Sequence, residues 1–249
     1  MERSKHTERD YHHYEKVSSH EDLNKFFQLV YFWMFLGLLI SAGVSYFVST
    51  SKTMLSLIFG NVVILIILIV LQLLMVFVIG LLINHISADV AKIMFFIYSA
   101  LTGLTFSVIF IVYELGSIFF VFIVTSLIFL LMSLFGRYTD KDLTSLGTIL
   151  MVGLIVIIIA SIINIFLRNP MLYLIITIIA VIIFTGLIAY DTQKIKEWKI
   201  KLEQINHIKY EKDKEELEKK IAVIGALILY LDFINLFINL LKLLGKRRE

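Results

Sequence analysis

The chain of 249 residues has no cysteine, so disulfides, thiolate metal sites and cysteine nucleophiles are all excluded. It has one proline, Pro170, so long helices can run without interruption. Charge is scarce too: 17% of residues are charged and 59% hydrophobic, with a mean hydropathy of +0.90. A soluble domain carries about 25% charged and about 45–50% apolar residues. These proportions exclude a disordered chain, collagen, a coiled-coil rod and a disulfide-stapled secreted module. They also argue against a soluble enzyme, because too few charges are available to cover a solvated surface. The composition is that of a polytopic membrane protein forming one domain.

The net charge of +3 matters less than where the charges lie. Residues 1–26 hold five basic and six acidic side chains, and 191–220 hold nine and eight. Between them charges are sparse and sit mostly in short breaks between apolar runs. No basic face with interleaved aromatics exists to follow phosphates, so nucleic acid is not an expected partner. The segment 1–26 is too polar and too long for the n-region of a cleaved signal and reads as a cytosolic tail. It contains His6, His12, His13 and His20, whose spacing fits no standard metal site.

Seven apolar stretches follow, at about 27–49, 58–84, 91–112, 116–135, 145–167, 171–190 and 222–244. Each approaches the ~20 residues that cross ~30 Å of hydrocarbon. Their β-branched content would suit buried strands in water, but open sheet edges cannot sit in lipid, and barrel-type alternation is missing. The expected fold is an all-α membrane protein, a seven-transmembrane-helix bundle spanning 27–249. Apolar character in the second run begins at Met54, so its first turn is expected at the interface or in a tilted start.

Short-loop lysines and arginines orient the bundle. With the N-terminus cytoplasmic, the inner loops hold Lys92, then Arg137 and Lys141, then nine lysines in the charged loop 192–220; the outer loops hold Lys52 and Arg168. The seventh helix strains this pattern by carrying Lys242, Lys246, Arg247 and Arg248 outward, yet its length favours a full crossing. In the loop after helix six, Ile195, Trp198, Leu202, Ile205 and Ile208 recur at helical spacing. Two readings stay open: an amphipathic helix on the inner leaflet or extending helix six, and a solvated helical hairpin.

Ionisable groups inside lipid are the informative residues, since a carboxylate at a membrane centre costs roughly 2.5–3.5 kcal/mol on insertion scales. Asp232 lies deep in the seventh run, and Asp191 closes the sixth in GLIAYDTQKIK. Both fall in the inner half, where neighbouring helices would bring them together. Asn235, Asn239, Lys242 and Lys246 continue from Asp232 at intervals of three and four, placing all five on one helical stripe. Such a stripe can be interhelical glue or a hydrated, titratable path. Paired carboxylates in a dry site titrate as a unit, and can switch with pH or contact a hard cation through oxygen. No Ser/His/Asp grouping, HExxH, P-loop or GxGD-like sequence accompanies them, so an enzyme is not expected and no cofactor is called for.

Four segments, LTGLTFSVIFIVYELGSIFFVF, GRYTDKDLTSLGTIL, GLIAYDTQKIK and ALILYLDFINLFINLLKLLG, resemble successive signatures of the Bax inhibitor-1 family in its bacterial branch. The last two are the most specific, and the resemblance covers about residues 80–245. It implies a seven-helix bundle with the C-terminal helix central, in a bacterial plasma membrane. It also implies a pH-sensitive passive Ca²⁺ leak, in which aspartates matching Asp191 and Asp232 sense protons and contact the permeant Ca²⁺. Relatives can carry an arginine near the inner end of helix two that latches the pore; the nearest position here is His85, a candidate latch. Asn235 and Asn239 are candidate path residues. Two other functions stay open: a membrane interaction protein that modulates a membrane protease or a stress response, and a proton-coupled solute transporter. The partners expected are thus the lipid bilayer, Ca²⁺, protons and a membrane protein.

Overall fold

In hydrocarbon a backbone amide finds a partner only within its own helix or in a closed barrel, and these apolar runs fold as helices. The computed structural model describes the backbone of residues 2–82, 85–204 and 211–248, with side chains from 21 onward except at 83–84, 205–211 and 249. The helices are α1 (Glu2–Thr50), α2 (Lys52–Phe59), α3 (Val62–Leu82), α4 (Ala88–Phe106), α5 (Ile109–Val112), α6 (Leu115–Tyr138), α7 (Thr144–Leu167), α8 (Pro170–Gln204) and α9 (Glu211–Leu244). Among the described residues there is no strand, only an isolated bridge between Tyr113 and Arg247. Seven segments are long and apolar enough to cross a membrane: Glu21–Thr50, Val62–Leu82, Ala88–Val112, Leu115–Tyr138, Thr144–Leu167, Pro170–Gln204 and Lys212–Leu244. The side chains of His6, His12, His13 and His20 lie outside the described residues, as do Ile205 and Ile208.

Local chemistry sets the breaks. Ser51 accepts the Met54 amide at 3.3 Å and starts α2, which ends at Gly60. Asn61 Oδ1 then accepts the Val63 amide at 2.9 Å and opens α3. The early start at Met54 is therefore a separate eight-residue helix ahead of the second span. Between α7 and α8, Arg168 takes a left-handed backbone (φ 50°), and Pro170 occupies the first helical position, where its missing N–H is not needed.

Hydrogen bonds tie the helix ends into two groups. At one end, Gln193 holds the α6–α7 loop, Lys196 Nζ donates to the Arg137 carbonyl at 2.9 Å, and Glu216 Oε1 accepts the Ala88 amide at 2.6 Å. Asn24 on α1 accepts from the Arg137 guanidinium at this end as well. At the other, the Glu114 amide donates to the Lys246 carbonyl at 3.0 Å, and the Arg248 amide to Val112 at 2.9 Å. The chain segment after α9 thus lies at the end opposite the α8–α9 connection, and α9 runs the full length of the bundle.

Burial differs sharply between spans. The most apolar stretch of the α9 span is 61% buried, against at most 33% for any other and 6% for α3. It packs against α8, α1, α6 and α4. Close approach relies on small residues, as expected where helix association depends on van der Waals contact. A Cβ on Gly136 would collide with the Ala189 backbone of α8, and one on Gly225 would meet Ile195 at 3.2 Å. Tyr230 is fully buried; its hydroxyl bonds Ser41 Oγ at 2.6 Å, and its ring meets Phe95 and Tyr98 edge-on. In the charged segment, α8 continues unbroken to Gln204. Ile195 and Leu202 are buried, at 0% and 2%, so this face packs on protein rather than on a leaflet.

Candidate functional site

The site grows from two tripeptides. In Asp191-Thr192-Gln193, successive residues turn about 100° around α8, so each faces a different neighbour. Asp191 faces a cleft. Thr192 Oγ1 lies 3.2 Å from Ser133 Oγ of α6, which in turn lies 2.6 Å from the Tyr31 hydroxyl of α1. Gln193 accepts the Leu143 amide and donates to the Lys141 carbonyl, both at 2.8 Å. The segment carrying Asp191 is thereby fastened on two sides. In Tyr230-Leu231-Asp232, Tyr230 locks α9 to α1 and α4, leaving Asp232 to face the same cleft as Asp191.

That cleft has a volume of about 890 Å³ and lies between α7, α8 and α9, with Leu73 of α3 also on its wall. It exists because α7 packs on α8 and makes little contact with α9. Its walls are mostly Ile, Leu, Met and Phe, and the polar groups are Asp191, Asp232, Asn235, Asn239, Lys242, Arg168, Tyr173, Ser161, Asn164 and Thr177. The two carboxyl groups come within hydrogen-bonding reach of each other. Asp232 is 5% exposed and its Oδ2 has no hydrogen-bond partner; Asp191 is half-buried. With both acids ionised that oxygen stays orphaned, so the pair calls for a shared proton or a cation. The acids differ in charged neighbours among the described residues: Asp191 has Lys194 beside it, while Asp232 has Asp191.

Four of the five stripe residues line the cleft: Asp232, Asn235, Asn239 and Lys242. The amides of Asn235 and Asn239 donate back to the Leu231 and Asn235 carbonyls, both at 2.8 Å, leaving their oxygens free to accept from or coordinate a guest. Lys246 follows the end of α9 and pairs with Glu114 at 2.8 Å instead. His85 does not join the pair. His85 falls in the turn before α4, exposed and off the cleft wall. Sequence reasoning missed Arg168 and Tyr173, which share the cleft's far end with Lys242; the Lys242 ammonium sits 5.8 Å from the Tyr173 ring. A Lys–aromatic pairing at the helix ends was the available signal. Among the described residues no group of three or more His, Asp or Glu could hold a metal ion, so a cation here would meet two carboxylates at most.

Seven membrane-capable helices, of which α9 is the most buried, with two aspartates on an internal cleft, define a polytopic membrane protein. The chain matches the family described as "Inhibitor of apoptosis-promoting Bax1" over residues 23–249. It is 44% identical over 232 residues to the inner membrane protein YbhL of Escherichia coli K12, covering 93% of this chain and 96% of that protein. An uncharacterized protein of Borreliella burgdorferi is 44% identical over 91% of this chain and 94% of its own length. An uncharacterized membrane protein of Streptococcus pyogenes serotype M1 is 34% identical, over 90% and 93%. The chain belongs to the Bax inhibitor-1 family.

Proposed function

We propose that this membrane protein is a pH-sensitive passive leak for Ca²⁺, with the Asp191–Asp232 pair as its titratable gate. The observation that carries the reading is the orphaned Oδ2 of buried Asp232, facing a second carboxyl group on an internal cleft. Carboxylate and amide oxygens are the ligands a hard cation takes, and Ca²⁺ collects 6–8 of them. Two carboxylates with Asn235 and Asn239 supply only part of that set, which suits passage rather than tight holding. When the pair shares a proton the two side chains attract and close the path; when both ionise, repulsion separates them and leaves a doubly charged seat for a cation. Burial of Ile195 against Gly225, just beyond the pair, supports a closed state at the α8–α9 end. Lysine placement supports an N-terminus in the cytoplasm and a bacterial plasma membrane as the location. No catalytic residue is assigned.

The test is Ca²⁺ uptake by proteoliposomes across a pH series with equal pH on both sides. Uptake that changes with pH supports the reading. Absence of flux at every pH points to a protein that acts by contact with another membrane protein, and flux that needs a pH gradient points to proton-coupled transport.

A further inference from the structure

The cleft is electrically lopsided. Its acidic end is the aspartate pair; ten residues further along α9, about 15 Å at the helical rise, Lys242 lines the other end together with Arg168. Among the described residues neither cation forms an ion pair, and Glu114, ahead of α6, is taken by Lys246. Tyr173 offers Lys242 only the face of its ring, and the cleft walls around it are aliphatic. No acidic side chain among the cleft's lining residues stands between the ammonium and an ion moving along the stripe at that end. A cation drawn to the aspartates from that end must therefore pass a positive charge that no acid among the described residues pairs.

We infer that Lys242 is the electrostatic barrier that limits and sorts cations entering the cleft, with Arg168 as a weaker second charge at the same mouth. This inference rests on the leak reading above and adds what sets its rate and valence preference. The energy of an ion near a fixed charge scales with its own charge, so a divalent ion feels twice the barrier of a monovalent one. Removing the charge should raise the monovalent rate by some factor and the divalent rate by about the square of it. For an ion passing ~7 Å from the ammonium in an aqueous mouth, Ca²⁺ flux should rise roughly five- to tenfold and K⁺ flux roughly two- to threefold. The lysine thus keeps a leak with an acidic interior slow, and slower for the ion that interior favours.

The experiment measures initial Ca²⁺ and K⁺ fluxes in proteoliposomes for the parent, Lys242→Gln, Lys242→Arg and Arg168→Asn. Asparagine is chosen at 168 because it tolerates the left-handed backbone there. Expected are the squared relation for Lys242→Gln, near-parental fluxes for Lys242→Arg, and a smaller rise for Arg168→Asn. A Lys242→Gln flux equal to a measurable parental flux overturns the barrier while sparing the leak. So does an equal rise for both ions, or a Lys242→Arg variant that behaves like Lys242→Gln. No flux in any of the four proteins overturns the leak reading and the barrier with it.

Discussion

Lys199 is the least expected charge in the fold. Only 4% exposed, it lies on the part of α8 that continues past the apolar run; its ammonium meets Glu218 of α9 at 2.8 Å and Glu203 at 3.2 Å. Replacing it with methionine keeps the apolar stem and removes the charge. The gross attraction at these distances is about 5–6 kcal/mol per pair at an effective dielectric near 20. Against it stands the desolvation of a buried ammonium, several kcal/mol after relaxation. The glutamates, at 30% and 28% side-chain exposure, keep partial contact with water when their partner goes. The net loss for Lys199→Met is then about 1–3 kcal/mol, a fall in midpoint of about 2–12 °C by the scaling for chains of this size. Glu218→Gln should cost less, since Lys199 retains Glu203. Thermal unfolding in detergent measures both. A Lys199→Met protein as stable as the parent, or more so, would show that desolvation outweighs the pairing and refute the reasoning.

Gly136→Val should destabilise by about 1–3 kcal/mol or more, because the new side chain meets the Ala189 backbone rather than a flexible tip, and it should also disturb the flux–pH profile by shifting the helix that carries Asp191; calorimetry and Ca²⁺ uptake read the two effects. Asp142 is fully exposed outside the spans, and hydrogen bonding from the Thr144 hydroxyl and amide holds its carboxyl below the usual range. Its stabilising effect is therefore present above about pH 4 and lost as pH falls through its folded value. The stability of Asp142→Ala should accordingly approach the parent's in acid and fall below it at neutral pH, as a melting series from pH 3 to 7 would show.

Much of this site is legible in the sequence because burying a carboxylate is expensive. Asp232 and Asp191 stand out on cost alone, and the 3-4-3 spacing from Asp232 to Lys242 puts four polar residues on one wall before any coordinates exist. Helix number follows from run length in the same way. The rest depends on geometry that spacing does not encode. The break at Gly60 rests on the side-chain cap from Asn61, inside a run that hydropathy reads as continuous. The apolar stripe from Ile195 to Leu202 fits a leaflet or a protein partner equally well, and only the packing of α8 on α9 decides for protein. His85 lies close in sequence to α3, yet it sits in the turn that leads into α4, off the cleft wall. Arg168 reaches the cleft through a left-handed turn that its own residue type does not favour.

The central claim is that proton binding by the aspartate pair gates the path, with Asp232 the dominant member. Asp232 is 5% exposed and its one charged neighbour among the described residues is Asp191, whereas Asp191 is half-buried beside Lys194. Asparagine preserves shape and some hydrogen bonding while removing the charge. The most direct measurement is therefore the Ca²⁺ flux–pH curve of Asp232→Asn against those of Asp191→Asn and the parent, in proteoliposomes without a pH gradient. The account predicts that both substitutions flatten the curve and that Asp232→Asn flattens it more. An Asp232→Asn curve that overlays the parent's while Asp191→Asn flattens would contradict the depth argument, and two mutant curves identical to the parent's would make the pair structural and contradict the gate itself.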